Sequence, residues 1–128
     1  MDSLESLHDL FVAELKRLYG AEQQLTLSLP LLAKAANAPE LKSLFEGHLE
    51  ETQGHQRRLG ELFERLDLKP GRETCAAMRA LIEEAEDTIE RDTDPVVGDA
   101  ALVVAAQKIE HYEIAGYGSV RTFARILG

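Results

Sequence analysis

The chain has 128 residues, enough for one domain with a hydrophobic core and too few to expect two. Its 23 Asp and Glu outweigh 14 Lys and Arg for a formal charge of -9, and the basic residues are scattered, which argues against nucleic acid and anionic membranes as partners. A single cysteine, Cys75, the lack of any apolar run of bilayer-spanning length and an N-terminus without a signal-like core predict a cytoplasmic protein outside the membrane.

Apolar residues at Leu4, Leu7, Phe11, Leu18, Leu25, Leu29 and Leu32 recur in helical steps and predict a first amphipathic helix from Leu4 to about Ala36, with Gly20 and Pro30 as weak points. Pro39 suits a first helical position, and a second stripe through Leu41, Leu44, Phe45, Leu49, Leu59, Leu62, Phe63 and Leu66 carries a second helix to about Leu66. Pro70-Gly71 marks the clearest turn. A shorter helix follows with Met78, Leu81, Ile82, Ala85 and Ile89, and its charges at 83–87 and 90–92 read as a solvated face. Asp94 caps a last helix from Pro95 to about Ile126, in which Gly116 and Gly118 allow close packing. No segment alternates with period two, so the fold class is all-α, an antiparallel helical bundle treated as one domain. The short third helix looks too small to close the core, which leaves apolar surface for another copy of the chain.

Polar residues interrupt each long stripe. Glu22 lies between Leu18 and Leu25, with Glu14 similarly placed one turn or two earlier. On the second helix the stripe from Phe45 to Leu59 passes through His48, Thr52 and His55, with Glu51 alongside and three or four residues from each histidine. On the last helix Glu110 and Glu113 straddle the line of burial, flanked by Tyr112 and Tyr117, whose hydroxyls suit a carboxylate. Each residue alone also fits a boundary position with its head in water. Together Glu22, Glu51, Glu110 and Glu113 supply four negative charges with no Lys or Arg on the stripes to balance them, as two divalent ions would. Carboxylate sites accept iron, manganese and zinc, so ligand type does not choose the metal.

The segments LHDLFVAELKRLYGAEQQL, FEGHLEETQGH, ALIEEAEDTIE and GDAALVVAAQKIEHYEIAGYGSVRTFARILG resemble, in order and over nearly the whole chain, the YciE/YciF family of bacterial ferritin-like proteins. The resemblance implies a ferritin-like bundle, usually dimeric, linked to stress responses, with a dinuclear iron or manganese site. Carried over by position, Glu22, Glu51, Glu110 and Glu113 become its carboxylates, with His48 in the HLEET block as a neighbour. The family pattern does not call for histidine at His55. Members usually continue beyond the ILG segment into another Glu-rich helix, so the expected bundle lacks its final helix and leaves an apolar groove.

Two functions follow: a metal-binding ferritin-like protein, redox-active toward oxygen or peroxide, or a non-catalytic helical protein that works by self-association or partner binding with a metal-free polar network. Cys75 has no paired base in view and reads as a partly exposed bystander. The uncovered groove predicts a homodimer or higher homo-oligomer, including by helix exchange. Light scattering at micromolar concentration should return at least twice the 14.2 kDa chain mass, and a monomeric mass would contradict it.

Overall fold

A computed structural model describes residues 3–91 and 93–128. Met1, Asp2 and Asp92, the last of which ends the charged stretch at 90–92, lie outside the described residues. Four helices run in chain order as α1 (Leu7–Ala35), α2 (Pro39–Arg65), α3 (Ala76–Glu90) and α4 (Pro95–Leu127), with no strand among the described residues. This is the all-α antiparallel bundle that the stripes predict. No helix among the described residues is long and apolar enough to cross a membrane.

The caps set the helix boundaries. The Ser6 side chain accepts a bond from the Asp9 amide at 3.0 Å, so α1 starts at Leu7 and Leu4 stays outside it, more than half exposed. The Asp94 carboxylate accepts from the Val96 and Val97 amides and starts α4 at Pro95. The start of α2 has no cap of its own, since Ala38 offers no side-chain acceptor. Asp99 from α4 takes that role, accepting from the Asn37 and Ala38 amides at 2.8 Å each. These bonds, the Asn37 amide first, hold the Asp99 carboxyl below its usual range against the opposing effect of desolvation.

α1 packs against all three other helices, and α3 packs against α4. The core is split in two. Ala21, Leu25, Leu29 and Leu32 of α1 join Phe45 of α2, Met78 and Ile82 of α3, and Leu102 and Ile109 of α4 in one cluster. Phe11, Leu15 and Leu18 join Leu59 and Phe63 of α2 and Val120 of α4 in the other. Between them, α1 contributes Glu22, α2 the turns from His48 to His55, and α4 the turn at Glu113.

Close backbone approach fixes this layer from two sides. A Cβ on Gly20 would stand 2.5 Å from the Glu73 carbonyl oxygen, because the α2–α3 connection crosses α1 there. Gln24 pins the same connection, accepting from the Cys75 amide at 2.9 Å and donating to the Cys75 carbonyl. A Cβ on Gly116 would stand 2.7 Å from Leu18 Cδ2, so α4 approaches α1 closely at Gly116, whereas Gly118 faces open space. The apolar surface left over includes Leu27, Leu31 and Leu44, and Val96, Val97, Val104 and Ile114 on α4, all more than half exposed. Leu44 thus departs from the predicted α2 stripe, whose buried line is Leu41, Phe45, Thr52, Leu59 and Phe63.

Glycine at a helix interior normally costs stability relative to alanine, and Gly60 has no neighbour that a Cβ would meet within 4 Å. Gly60→Ala should therefore stabilise the protein by about 0.5–1 kcal/mol in urea unfolding, while Gly20→Ala should destabilise it by about 1–3 kcal/mol through the clash with the Glu73 carbonyl. Equal effects of the two substitutions would contradict the close approach at Gly20.

Candidate metal centre

Glu22 is fully buried and Glu113 is 7% exposed, although the surrounding layers are apolar. Each has one oxygen engaged by a neighbouring side chain. Tyr117 donates from its hydroxyl to Glu22 Oε1 at 3.1 Å, and His48 Nε2 lies 3.2 Å from Glu113 Oε1. The second oxygens point toward a common space with His55. His55 Nδ1 is 3.8 Å from Glu22 Oε2 and 3.9 Å from Glu113 Oε2, too far for hydrogen bonds. Glu22, His55 and Glu113 each offer one ligand atom within 4.8 Å of the others. The His55 ring is also held against Tyr117, with centroids 5.5 Å apart.

Three side-chain atoms in this layer are buried without a partner: Glu22 Oε2, His55 Nδ1 and Thr52 Oγ1. Buried polar groups are ordinarily bonded, so the facing orphans Glu22 Oε2 and His55 Nδ1 point to an absent shared partner. Two carboxylate oxygens and an imidazole nitrogen are a donor set suited to a divalent first-row ion, and the separations are those that donors on one ion span.

Without an ion the two carboxylates contend for one proton, and Glu22 Oε2, which lacks a partner while both are ionised, bonds Glu113 when Glu22 holds it. Burial, then the bond and charge of Glu113, push Glu22 from 4.5 up to about 9, with the Tyr117 bond opposing. Burial would raise Glu113 as well, but its bonds to His48 and Glu22 and the nearby imidazoles hold it below its usual range. The proton therefore sits on Glu22 at neutral pH. The bond to Glu113 raises His48 above its usual value against burial, helped by the charges of Glu113, Glu110 and Glu51. Burial first, then Glu22, raises the Tyr117 phenol, which stays protonated as a donor.

The sequence segments match the family described as "Domain of unknown function (DUF892)" over residues 6–128. The chain belongs to this family. It is 45% identical to Protein YciF of Escherichia coli strain K12 over 127 residues, covering 98% of this chain and 76% of that one. The crystal structure of the E. coli stress protein YciF superposes with a TM-score of 0.93 at 45% identity, over 98% of this chain and 79% of that one. The structure of YcfI from Rhodopseudomonas palustris gives a TM-score of 0.94 at 40% identity, over 98% and 80%. The resemblance to YciE/YciF proteins is thereby shown, as is the helical-bundle fold.

Within this family member the six site residues expected from the sequence do not all meet. Glu22, His55 and Glu113 converge, and His48 joins through Glu113. Glu51 and Glu110 are exposed and lie outside the cluster, although their charges reach His48. The reason is rotational: the buried line of α2 passes through Thr52 and that of α4 through Ile109 and Glu113, which turns the neighbours Glu51 and Glu110 outward. Glu14 pairs with Arg17 and stays apart. Glu83 and Glu84 form surface pairs with Arg79 and Lys108 and do not approach the site. Cys75 is buried rather than partly exposed, its Sγ 2.9 Å from the Tyr112 hydroxyl, because Gln24 draws the start of α3 against α1. The unpartnered Thr52 hydroxyl was legible only as a polar residue on the stripe between His48 and His55.

A folded-state pKa raised above the unfolded value makes stability greatest below the unfolded pKa and lowers it as pH rises toward the folded one. The metal-free protein should accordingly lose stability from Glu22 between about pH 4.5 and about pH 9. Glu22→Gln, which keeps the shape and cannot ionise, should flatten that decline and stabilise the metal-free protein at pH 8 by on the order of 1 kcal/mol or more. Thermal unfolding from pH 5 to 9 checks it, and an unchanged slope would show that Glu22 does not carry the proton.

Proposed function

We propose that this protein binds iron or manganese between α1, α2 and α4, with Glu22, His55 and Glu113 as ligands. The observation that carries this function is the pair of buried, unpartnered atoms Glu22 Oε2 and His55 Nδ1 facing Glu113. Around them the chain does what a metal centre needs of its outer partners. Tyr117 orients Glu22 through Oε1, and His48 orients Glu113 through Oε1, leaving the remaining oxygens for the ion. Apolar clusters flank the site on either side, and His55, one third exposed, lies where it opens toward solvent. A second ion, as in a dinuclear centre, would use the His48 side of Glu113, where Glu51 and Glu110 are the carboxylates within electrostatic reach. Bound iron or manganese would supply one-electron chemistry toward oxygen or peroxide.

The naming of the E. coli relative as a stress protein supports a stress-related role here. The exposed Val96, Val97, Val104 and Ile114 support assembly into a homodimer or larger homo-oligomer. A metal-free role in self-association is the second reading, favoured by the Tyr117–Glu22 and His48–Glu113 bonds, which already form a polar network able to fix helix register.

Metal analysis after equilibration with Mn(II) or anaerobic Fe(II) separates the two. At least one ion per chain, with affinity weakened more than about tenfold in Glu113→Gln and in His55→Ala, is the expected result, since loss of a ligand should exceed loss of an outer partner. Binding of less than one ion per chain, or affinity unchanged in both folded variants, would remove the metal function and leave association.

A further inference from the structure

Thr52 is the one orphan of this layer that the metal ligands do not account for. It is fully buried, and its Oγ1 finds no partner, not even the preceding-turn carbonyl that a helical threonine commonly uses and that Thr26, Thr88 and Thr122 do use in this chain. It lies four residues after His48 and three before His55, so it shares the face of α2 from which those two histidines reach Glu113 and Glu22. A neutral hydroxyl is a weak ligand beside two carboxylates and an imidazole, and leaving it unbonded in an apolar interior is costly. Valine has nearly the same shape and would fill the space without that cost.

We propose that the Thr52 hydroxyl donates a hydrogen bond to a small oxygen- or nitrogen-donor ligand held on the metal at Glu22, His55 and Glu113: water or hydroxide at rest, replaceable by a small anion of the size of azide. This rests on the metal function proposed above. Three protein donors leave open positions on a first-row ion, and a ligand there needs a fixed donor to set its orientation. Tyr117 and His48 already engage the outer oxygens of the two carboxylates, which leaves Thr52 as the unengaged hydroxyl of the layer. Thr52 is thus a positioning residue for the exchangeable ligand, separate from the residues that hold the ion.

The test uses the Co(II)-loaded protein, with azide followed by visible absorption, in wild type, Thr52→Val and Thr52→Ser. Co(II) affinity, measured separately by calorimetry, should change less than about threefold in both variants, since no ligand is lost. Azide affinity should fall about tenfold in Thr52→Val, the loss of one hydrogen bond, and return to within about threefold of wild type in Thr52→Ser. The metal-free Thr52→Val protein should melt at a higher temperature than wild type, because an unbonded hydroxyl has been removed. A Thr52→Val protein with wild-type azide affinity would overturn the proposal, as would one that loses Co(II) binding, which would make Thr52 itself a ligand. A lower melting temperature of metal-free Thr52→Val would overturn it by showing that the hydroxyl serves a structural bond. Failure of wild type to bind Co(II) at all would instead defeat the metal function, and this inference with it.

Discussion

Two carboxylates buried side by side at mid-height of the bundle are the constraint on which the rest of the structure depends. Glu22 and Glu113 could not both be ionised there without several kcal/mol of cost each, so the surrounding residues answer their charge. Tyr117 and His48 each bond one oxygen, a proton on Glu22 relieves the repulsion, and His55 waits at nearly 4 Å from both. A pair of leucines in these positions would complete a continuous core. The split of that core into two apolar clusters is the imprint of this polar layer on packing.

Holding three helices in register at that layer falls to devices outside it. Gly116 lets α4 approach α1 at Leu18, one turn from both Glu22 on α1 and Glu113 on α4. Gly20 and Gln24 bind the α2–α3 connection across the opposite side of α1, two residues either way from Glu22. Asp99 ties the α1–α2 connection to α4 and thereby sets the height of α2. None of these residues is a member of the cluster, yet each fixes a helix that carries one. Such over-determination permits an arrangement with unsatisfied atoms to persist.

The helices were legible in the sequence because three- and four-residue steps of Leu, Phe and Ile survive along all four of them, and Asp94 and Pro39 announce two of the starts. The interruption of the stripes at Glu22, His48, Thr52, His55 and Glu113 was legible for the same reason. Periodicity is coarser than one helical position, however, so it admitted Glu51 beside Thr52 and Glu110 beside Glu113 as equals, and only packing resolves which neighbour turns inward. The resemblance gave His55 no role, and only the packing of α2 against α1 and α4 shows its Nδ1 within 4 Å of both carboxylates. Long-range ties such as Gln24 to Cys75 and Asp99 to Ala38 leave no periodic trace, since they join residues 51 and 61 positions apart.

Anomalous scattering from crystals grown with manganese would test the central claim most directly, because it reports where an ion lies without reference to any activity. A peak about 2.0–2.3 Å from Glu22 Oε2, His55 Nδ1 and Glu113 Oε2 is the predicted result. Peaks confined to the exposed Glu51 and Glu110, or none in the layer at saturating manganese, would contradict it and leave Glu22 and Glu113 as a protonated structural pair.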